Sequence, residues 1–241
     1  MSGHSKWSKV KYQKAVKDPK RAKAFSKLTA LITVAARDGS KIESNSKLKM
    51  SVDKAKEFGM PKENIERAIS RGSGEMDDGK KLDEVFYEAY GPGGSALLIQ
   101  AITDNKNRTL AELRHLLQEH GAKMADTGSV RWMFKESGKI ILPKKFWNDD
   151  ISLEAIENGA EEIKEEDEKI IIYTNPQNLI LIKDFLEKKI GQDIVKNELD
   201  FISQQPIAIS DKAIKDKLEN LFDVLDEHSD VEEIYCNADL I

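Results

Sequence analysis

Apolar positions along the chain change their spacing near residue 80, and the change divides it. Phe25, Leu28, Ile32 and Ala35 recur every three or four residues, the period of one helix face. Asp18 is placed as an N-cap and Pro19 at the first helical position, where its missing N–H costs nothing. Gly39 is the expected stop. Leu48, Val52 and Ala55 mark a second helix ending near Gly59. Ile65, Ala68 and Ile69 mark a third, opened by Pro61 and closed by Gly72. Three such stripes predict a small helical bundle of about 70 residues. Residues 72–82, rich in Gly and charge, read as a linker.

Beyond the linker the pattern becomes strand-like. Residues 85–90 and 95–103 read as two strands joined by the turn Gly91-Pro92-Gly93-Gly94. Residues 107–120 form an amphipathic helix with Leu110, Leu113, Leu116 and Leu117 inward, Asn107 as N-cap and Gly121 as stop. Residues 128–134 and 139–142 read as strands around a turn at Gly138. A short helix over 153–158, a strand over 169–174, a helix over 176–189 starting at Asn175 and a strand over 197–202 follow. The acidic run 161–168 reads as a solvated surface loop. A helix over 211–226 and a strand over 231–237 close the chain. These alternating units are too short for a doubly wound sheet. An α+β multidomain protein is expected, with two small α+β domains behind the bundle.

Composition narrows the function. No apolar run reaches the ~18 residues of a membrane span. The N-terminal stretch has no apolar segment resembling a secretory signal. One cysteine, Cys236, leaves no internal disulfide framework, and a reducing, cytoplasmic setting is expected. The 241 residues carry a net charge of −5, unevenly spread. Residues 1–75 hold fourteen lysines and four arginines against eight acids, a local charge of +10, and the remainder carries −15. So steep a split suggests a polyanion-binding arm on an acidic body.

Several motifs tempt and fail. Residues 74–81 approach a phosphate-binding loop but lack its closing Ser or Thr, follow no strand and contain three acids. Residues 91–96 fit the dinucleotide fingerprint formally, yet a strand follows where a helix is needed. His115 and His120 are five residues apart and point to different sides of one helix. Cys236 reads as a small core or edge residue. No catalytic residue, cofactor, metal or small-molecule substrate is expected.

The binding candidates lie at the front. His4, Lys6, Trp7, Lys9, Lys11, Lys14, Lys20, Arg21, Lys23 and Lys27 crowd the first 27 residues, where Asp18 is the one acid. Lysines act as point charges on phosphates, and releasing condensed counterions supplies affinity. Trp7 and Tyr12 suit stacking on an exposed base, and Trp7 suits equally a hydrophobic anchor for the arm. A second polar site is expected at Asn105, Arg108 and Thr109, between a strand and a helix N-terminus receptive to anions.

At these residues the chain resembles the YebC/PmpR family, which includes the mitochondrial translational activator of cytochrome c oxidase. The resemblance rests on Gly3-His4-Ser5-Lys6-Trp7, on Asp18 with Arg21 and Phe25-Ser26-Lys27-Leu28, and on the run from Met60 to Ile69. Tyr87-Glu88-Ala89-Tyr90 with the glycine turn, Thr103 to Thr109, and Gly128-Ser129-Val130 complete it. Ser40 and Ala89 depart from the family pattern. The resemblance implies a helical bundle over 1–75, a ferredoxin-like α+β domain built from 82–134 and 205–241, and a second α+β domain, 135–204, inserted within it. It implies a non-enzymatic, DNA-binding transcriptional regulator. The alternative is a ribosome-associated translation factor that relieves stalling at proline-rich stretches. The expected partner is DNA or ribosomal RNA, with the ribosome behind the alternative.

Overall fold

The computed structural model describes residues 18–76, 81–191 and 195–241, with side chains described from Ala22 onward. It is α+β and divides into two compact units. One joins the chain up to Phe134 to Ser203–Ile241, and the other is Lys135–Ile202.

The first unit begins with helices α1 (Asp18–Ala35), α2 (Ser46–Glu57) and α3 (Lys62–Gly72). The expected stripes meet: Leu28, Ile32, Ala35, Leu48, Val52, Ala55, Ile65 and Ala68 are buried together. Asn45 knits the bundle. Its Oδ1 accepts from Leu48 N at 3.0 Å and caps α2, while its amide donates to the carbonyls of Ala35 and Gly39, both at 2.7 Å. Helix α1 starts at Asp18, but the capping role expected of that side chain lies outside the described side chains. Part of the near phosphate-binding loop at 74–81 also lies outside the described residues.

Strands β1 (Asp83–Tyr90) and β2 (Ala96–Thr103) form the expected antiparallel hairpin, with Asp83 opposite Thr103 and Tyr90 opposite Ala96. Its turn needs glycine at Gly93. The residue has φ +70°, and a Cβ there would lie 2.8 Å from Ile214 Cγ2. Helix α4 (Lys106–Glu119) follows. Its N-cap is Asn105, two residues earlier than the expected Asn107. Thr103 Oγ1 accepts from Asn105 N at 2.9 Å and holds it extended, and Asn105 Oδ1 then accepts from Arg108 N at 3.1 Å. Strand β3 (Lys123–Met124) pairs with the end of β1. Residues 128–130 form a turn and Arg131–Met133 one turn of 3-10 helix, rather than the expected strand. The buried Glu88 carboxylate accepts the N–H groups of Gly128, Val130 and Arg131 at 2.6, 2.6 and 2.9 Å, so these donors are lost to any ladder.

The second unit contains β4 (Phe134–Pro143), α5 (Asp149–Glu157), β5 (Ala160–Glu166), β6 (Lys169–Thr174), α6 (Leu179–Ile190) and β7 (Lys196–Ser203), with the outer residues of β4 and β7 belonging to the first. The strand order is β5-β6-β4-β7. Two expectations are corrected here. Gly138 makes no turn, and β4 runs straight through it. A Cβ would come within 2.9 Å of Leu179 Cβ and 3.0 Å of Thr174 Cγ2, so close packing, not a bend, selects the glycine. The acidic run is mostly strand β5, not a loop. It pairs along β6, with Ile163 opposite Ile172, and the turn comes only at Asp167 (φ +40°). The wholly apolar Ile170–Ile172 stretch of β6 needs a strand on each edge, and that need outweighs the local charge.

Back in the first unit come β8 (Ile207–Ile209), α7 (Lys212–Glu227), β9 (Val231–Cys236) and β10 (Ala238–Leu240). Strand β9 joins β2 and completes the order β3-β1-β2-β9; β8 and β10 form a small parallel pair that the sequence pattern did not signal. Tyr87, Leu97, Ile99 and Ala101 share one core with Leu113, Leu117, Leu218, Leu221 and Leu225. Burying each leucine side chain contributes ~1.5–3 kcal/mol. Cys236 is inside this core, and burial pushes its thiol up to about 12. Among the described residues no helix is long and apolar enough to cross a membrane.

Candidate nucleic-acid interface

His4, Lys6, Trp7, Lys9, Lys11 and Lys14, together with Tyr12, lie outside the described residues. Lys20 and Arg21 stand on the first turn of α1, with side chains outside those described. The two remaining arm candidates are seen in full, and both point at the end of α7. Lys23 Nζ donates to the carbonyl of Glu227. Lys27 Nζ donates to the carbonyl of Asp226 at 2.8 Å and lies 3.5 Å from its carboxylate. A helix C-terminus carries open carbonyls and negative dipole character, so two cations four residues apart on α1 fit it well. The rest of the bundle docks the same way. Arg37 reaches Asp83 at 3.6 Å, Lys47 reaches Glu84 at 2.5 Å and Lys54 reaches Glu233 at 3.3 Å. Part of the bundle's positive charge is therefore met by acids of its own unit.

The second polar candidate is brought together, but around a residue absent from the sequence reading. Asp230, in the turn before β9, accepts from Thr109 Oγ1 at 2.6 Å and from Arg108 Nη2 at 2.9 Å. The other guanidinium nitrogen of Arg108 reaches Asp104 at 3.0 Å, and Thr109 Oγ1 also lies 2.8 Å from Thr103 Oγ1. Asn105 is occupied with capping α4. Burial alone would raise the Asp230 carboxyl. Hydrogen bonds from Thr109, Arg108 and Ser229 outweigh it and hold the group below the usual carboxylate range. The same contact with Asp230 holds the Arg108 guanidinium above its ordinary value. The site is an ion network satisfied by its own chain. Asp230 lies 121 residues from Thr109 in sequence, and only the pairing of β9 beside β2, with Ile102 N donating to Asp230 O at 2.8 Å, brings it there. No local spacing signals that contact.

Glu112, His228 and Asp230 place one ligand atom each within 4.8 Å of one another, an arrangement that could hold a cation. Their atoms are already engaged. The backbone N–H of Asp230 donates to His228 Nδ1 at 3.1 Å, which leaves the ring proton on Nε2, 3.0 Å from Glu112 Oε2. The Arg108 guanidinium supplies the local positive charge. His115 is elsewhere, exposed beside Glu119 at 3.5 Å, and His120 Nδ1 meets the Leu116 carbonyl at 2.9 Å.

Residues 5–75 match the family model described as "TACO1/YebC protein N-terminal domain", and residues 82–238 match "TACO1/YebC second and third domain". The chain is 42% identical over its whole length to a "Probable transcriptional regulatory protein" of Halothermothrix orenii, of which it covers 96%. It is 45% identical to a protein of the same name from Acidithiobacillus ferrooxidans, of which it covers 95%. Among solved structures it is similar to a conserved hypothetical protein from Aquifex aeolicus. The TM-score is 0.82 at 38% identity, over 93% of this chain and 92% of that one.

Proposed function

The chain belongs to the TACO1/YebC family, and from that premise we propose that it regulates gene expression by binding nucleic acid, as a DNA-binding transcriptional regulator. The reading has no catalytic step. The observation that carries it is the charge split. Acids of its own unit engage Lys27, Arg37, Lys47 and Lys54, and Lys23 donates to the Glu227 carbonyl, yet the first 21 residues hold seven further cations against Asp18 alone. Those cations lack enough local acids to neutralise them, which suits contact with phosphates. The names of the relatives agree with the regulatory role.

The contact set within this proposal is His4, Lys6, Trp7, Lys9, Lys11, Lys14, Lys20 and Arg21. Lys23 and Lys27 hold α1 to the end of α7. The finer domain plan belongs to the same proposal: a bundle over 1–75, a ferredoxin-like domain from 82–134 and 205–241, and an inserted domain over 135–204. The order β3-β1-β2-β9, in which β9 returns from far along the chain to pair with β2, supports it.

A salt titration on duplex DNA and on structured RNA tests the function. An arm that neutralises about 4–6 phosphates gives log K a slope near −4 to −5 against log salt on duplex DNA. Replacing Lys9, Lys11, Lys14 and Lys20 by Ala is expected to weaken binding across all sequences and flatten that slope. Unchanged affinity for both polymers removes the arm from the mechanism. Ribosome profiling of a deletion strain separates the two levels of regulation. Pauses at proline runs with unaltered promoter responses would move the protein to translation.

A further inference from the structure

Exposed large apolar side chains include Tyr90, 41% exposed, and Trp132, 55% exposed. They are 42 residues apart in sequence and meet at one atom. The carbonyl oxygen of Ser129 accepts from Trp132 Nε1 at 2.9 Å and from Tyr90 Oη at 3.4 Å. The meeting follows from the strand. Phe86, Glu88 and Tyr90 alternate onto the same face of β1. Glu88 draws residues 128–131 over that face by accepting three of their N–H groups. Arg131 then lies over the Phe86 ring, 5.3 Å from its centroid, and Ser129 is set beside Tyr90. Lys123 stands opposite Tyr90 in the β1–β3 pair, exposed and, among the described residues, without an ion partner.

We propose that Tyr90 and Trp132, with Lys123 beside them, are a stacking platform for an unpaired nucleobase of a single-stranded nucleic acid. The inference rests on the polymer-binding function above and adds a second contact, distinct from the arm. Both rings are tethered at their polar edges to a backbone oxygen, so they are ordered before a ligand arrives. Their remaining surface is open at a position where burial would otherwise be favoured. Base stacking on such rings tolerates any sequence, because every base has a π face. Lys123 supplies a phosphate contact. The nearby charge of Glu88 is turned inward onto three N–H groups and does not repel the strand. A duplex, whose bases are already stacked, has nothing to offer the platform.

The test measures affinity of the full chain for four labelled ligands: single-stranded RNA, single-stranded DNA, an abasic strand of equal length and a duplex. Trp132→Ala and Tyr90→Ala are each expected to weaken both base-bearing single strands about tenfold. The abasic strand and the duplex should stay within about twofold of wild type. Trp132→Phe keeps a ring and is expected to restore most of the loss, which also shows that the loop still folds. The arm variant lowers all four affinities together. If Trp132→Ala binds every ligand as wild type does, the platform is wrong and the proposed function stands. If the wild-type chain binds none of the four, both are wrong.

Discussion

Two charged clusters, one in each unit, look alike as inventories of residues and differ in the surroundings each one has. In the first unit Arg108 meets Asp230 at 2.9 Å and Asp104 at 3.0 Å, with its side chain 43% exposed. In the second, Lys139 meets Glu198 at 2.9 Å and Asp200 at 3.1 Å, with its side chain 5% exposed. Water can solvate Arg108 if a partner is lost. It cannot reach Lys139 or most of Asp200, whose side chain is 10% exposed. The lesson is that distance alone does not rank ion pairs. The Lys139 cluster is frame, whereas the Arg108 cluster ties a turn to a helix start at modest strength.

The largest expected effect follows from that contrast. Lys139→Ala leaves Asp200 buried without its counter-ion and should lower stability by about 3–5 kcal/mol, read as a fall in the urea midpoint. Lys139→Met, which fills the space, should lose nearly as much, because the stranded carboxylate and not the cavity sets the loss. A mild effect of both would mean that water reaches this cluster after all. Next comes Asp230→Ala. It deprives Thr109 and Arg108 of their acceptor, and about 1–3 kcal/mol is expected from thermal melting. Arg108→Ala should do less than Asp230→Ala, since the carboxylate it leaves keeps its bonds from Thr109 and Ser229. Because the guanidinium is already neutralised by Asp230 and Asp104, the same variant should change polymer affinity far less than the arm variant. An equal loss would restore Arg108 as a direct contact.

Periodicity read the bundle correctly because Leu28, Ile32, Leu48, Val52 and Ile65 depend on a helix period and on local contacts. It read the β1–β2 hairpin because Gly91–Gly94 announces a turn by its own chemistry. It failed where a partner far along the chain decides. Gly138 looked like a turn and is a packing contact with Leu179. Glu161 to Glu166 looked solvated and form an edge strand that β6 requires. The candidate site divides the same way. Arg108 and Thr109 stood out as a polar motif, but Asp230, which satisfies them, is reached only through sheet pairing. Trp132 reaches Tyr90 only because Glu88 gathers residues 128–131 onto the face of β1. Charge was legible as a total. Which cations remain for a partner was not, because that depends on acids across the fold.

The smallest effect separates the two clusters by the direction of its pH dependence. Asp230 has a folded value below its ordinary 3.8, so its contribution is fully present above 3.8 and is lost as pH falls through the lowered value. Lys139 runs the other way. Burial opposes its charge, but Glu198 and Asp200 overcome that and raise it above its ordinary 10.5. Its contribution is therefore fully present below 10.5 and is lost only as pH rises through the raised value. Subtracting the melting temperature of Asp230→Asn from that of wild type cancels the titrating groups that do not interact with that carboxyl. That difference should stay level from neutral pH down to about 4 and shrink below it. The matching difference for Lys139→Met should hold through the same acid range and shrink only in strong alkali. An Asp230 difference that already shrinks between neutral pH and about 4 would mean that the bonds from Thr109, Arg108 and Ser229 do not hold the carboxyl below its ordinary value.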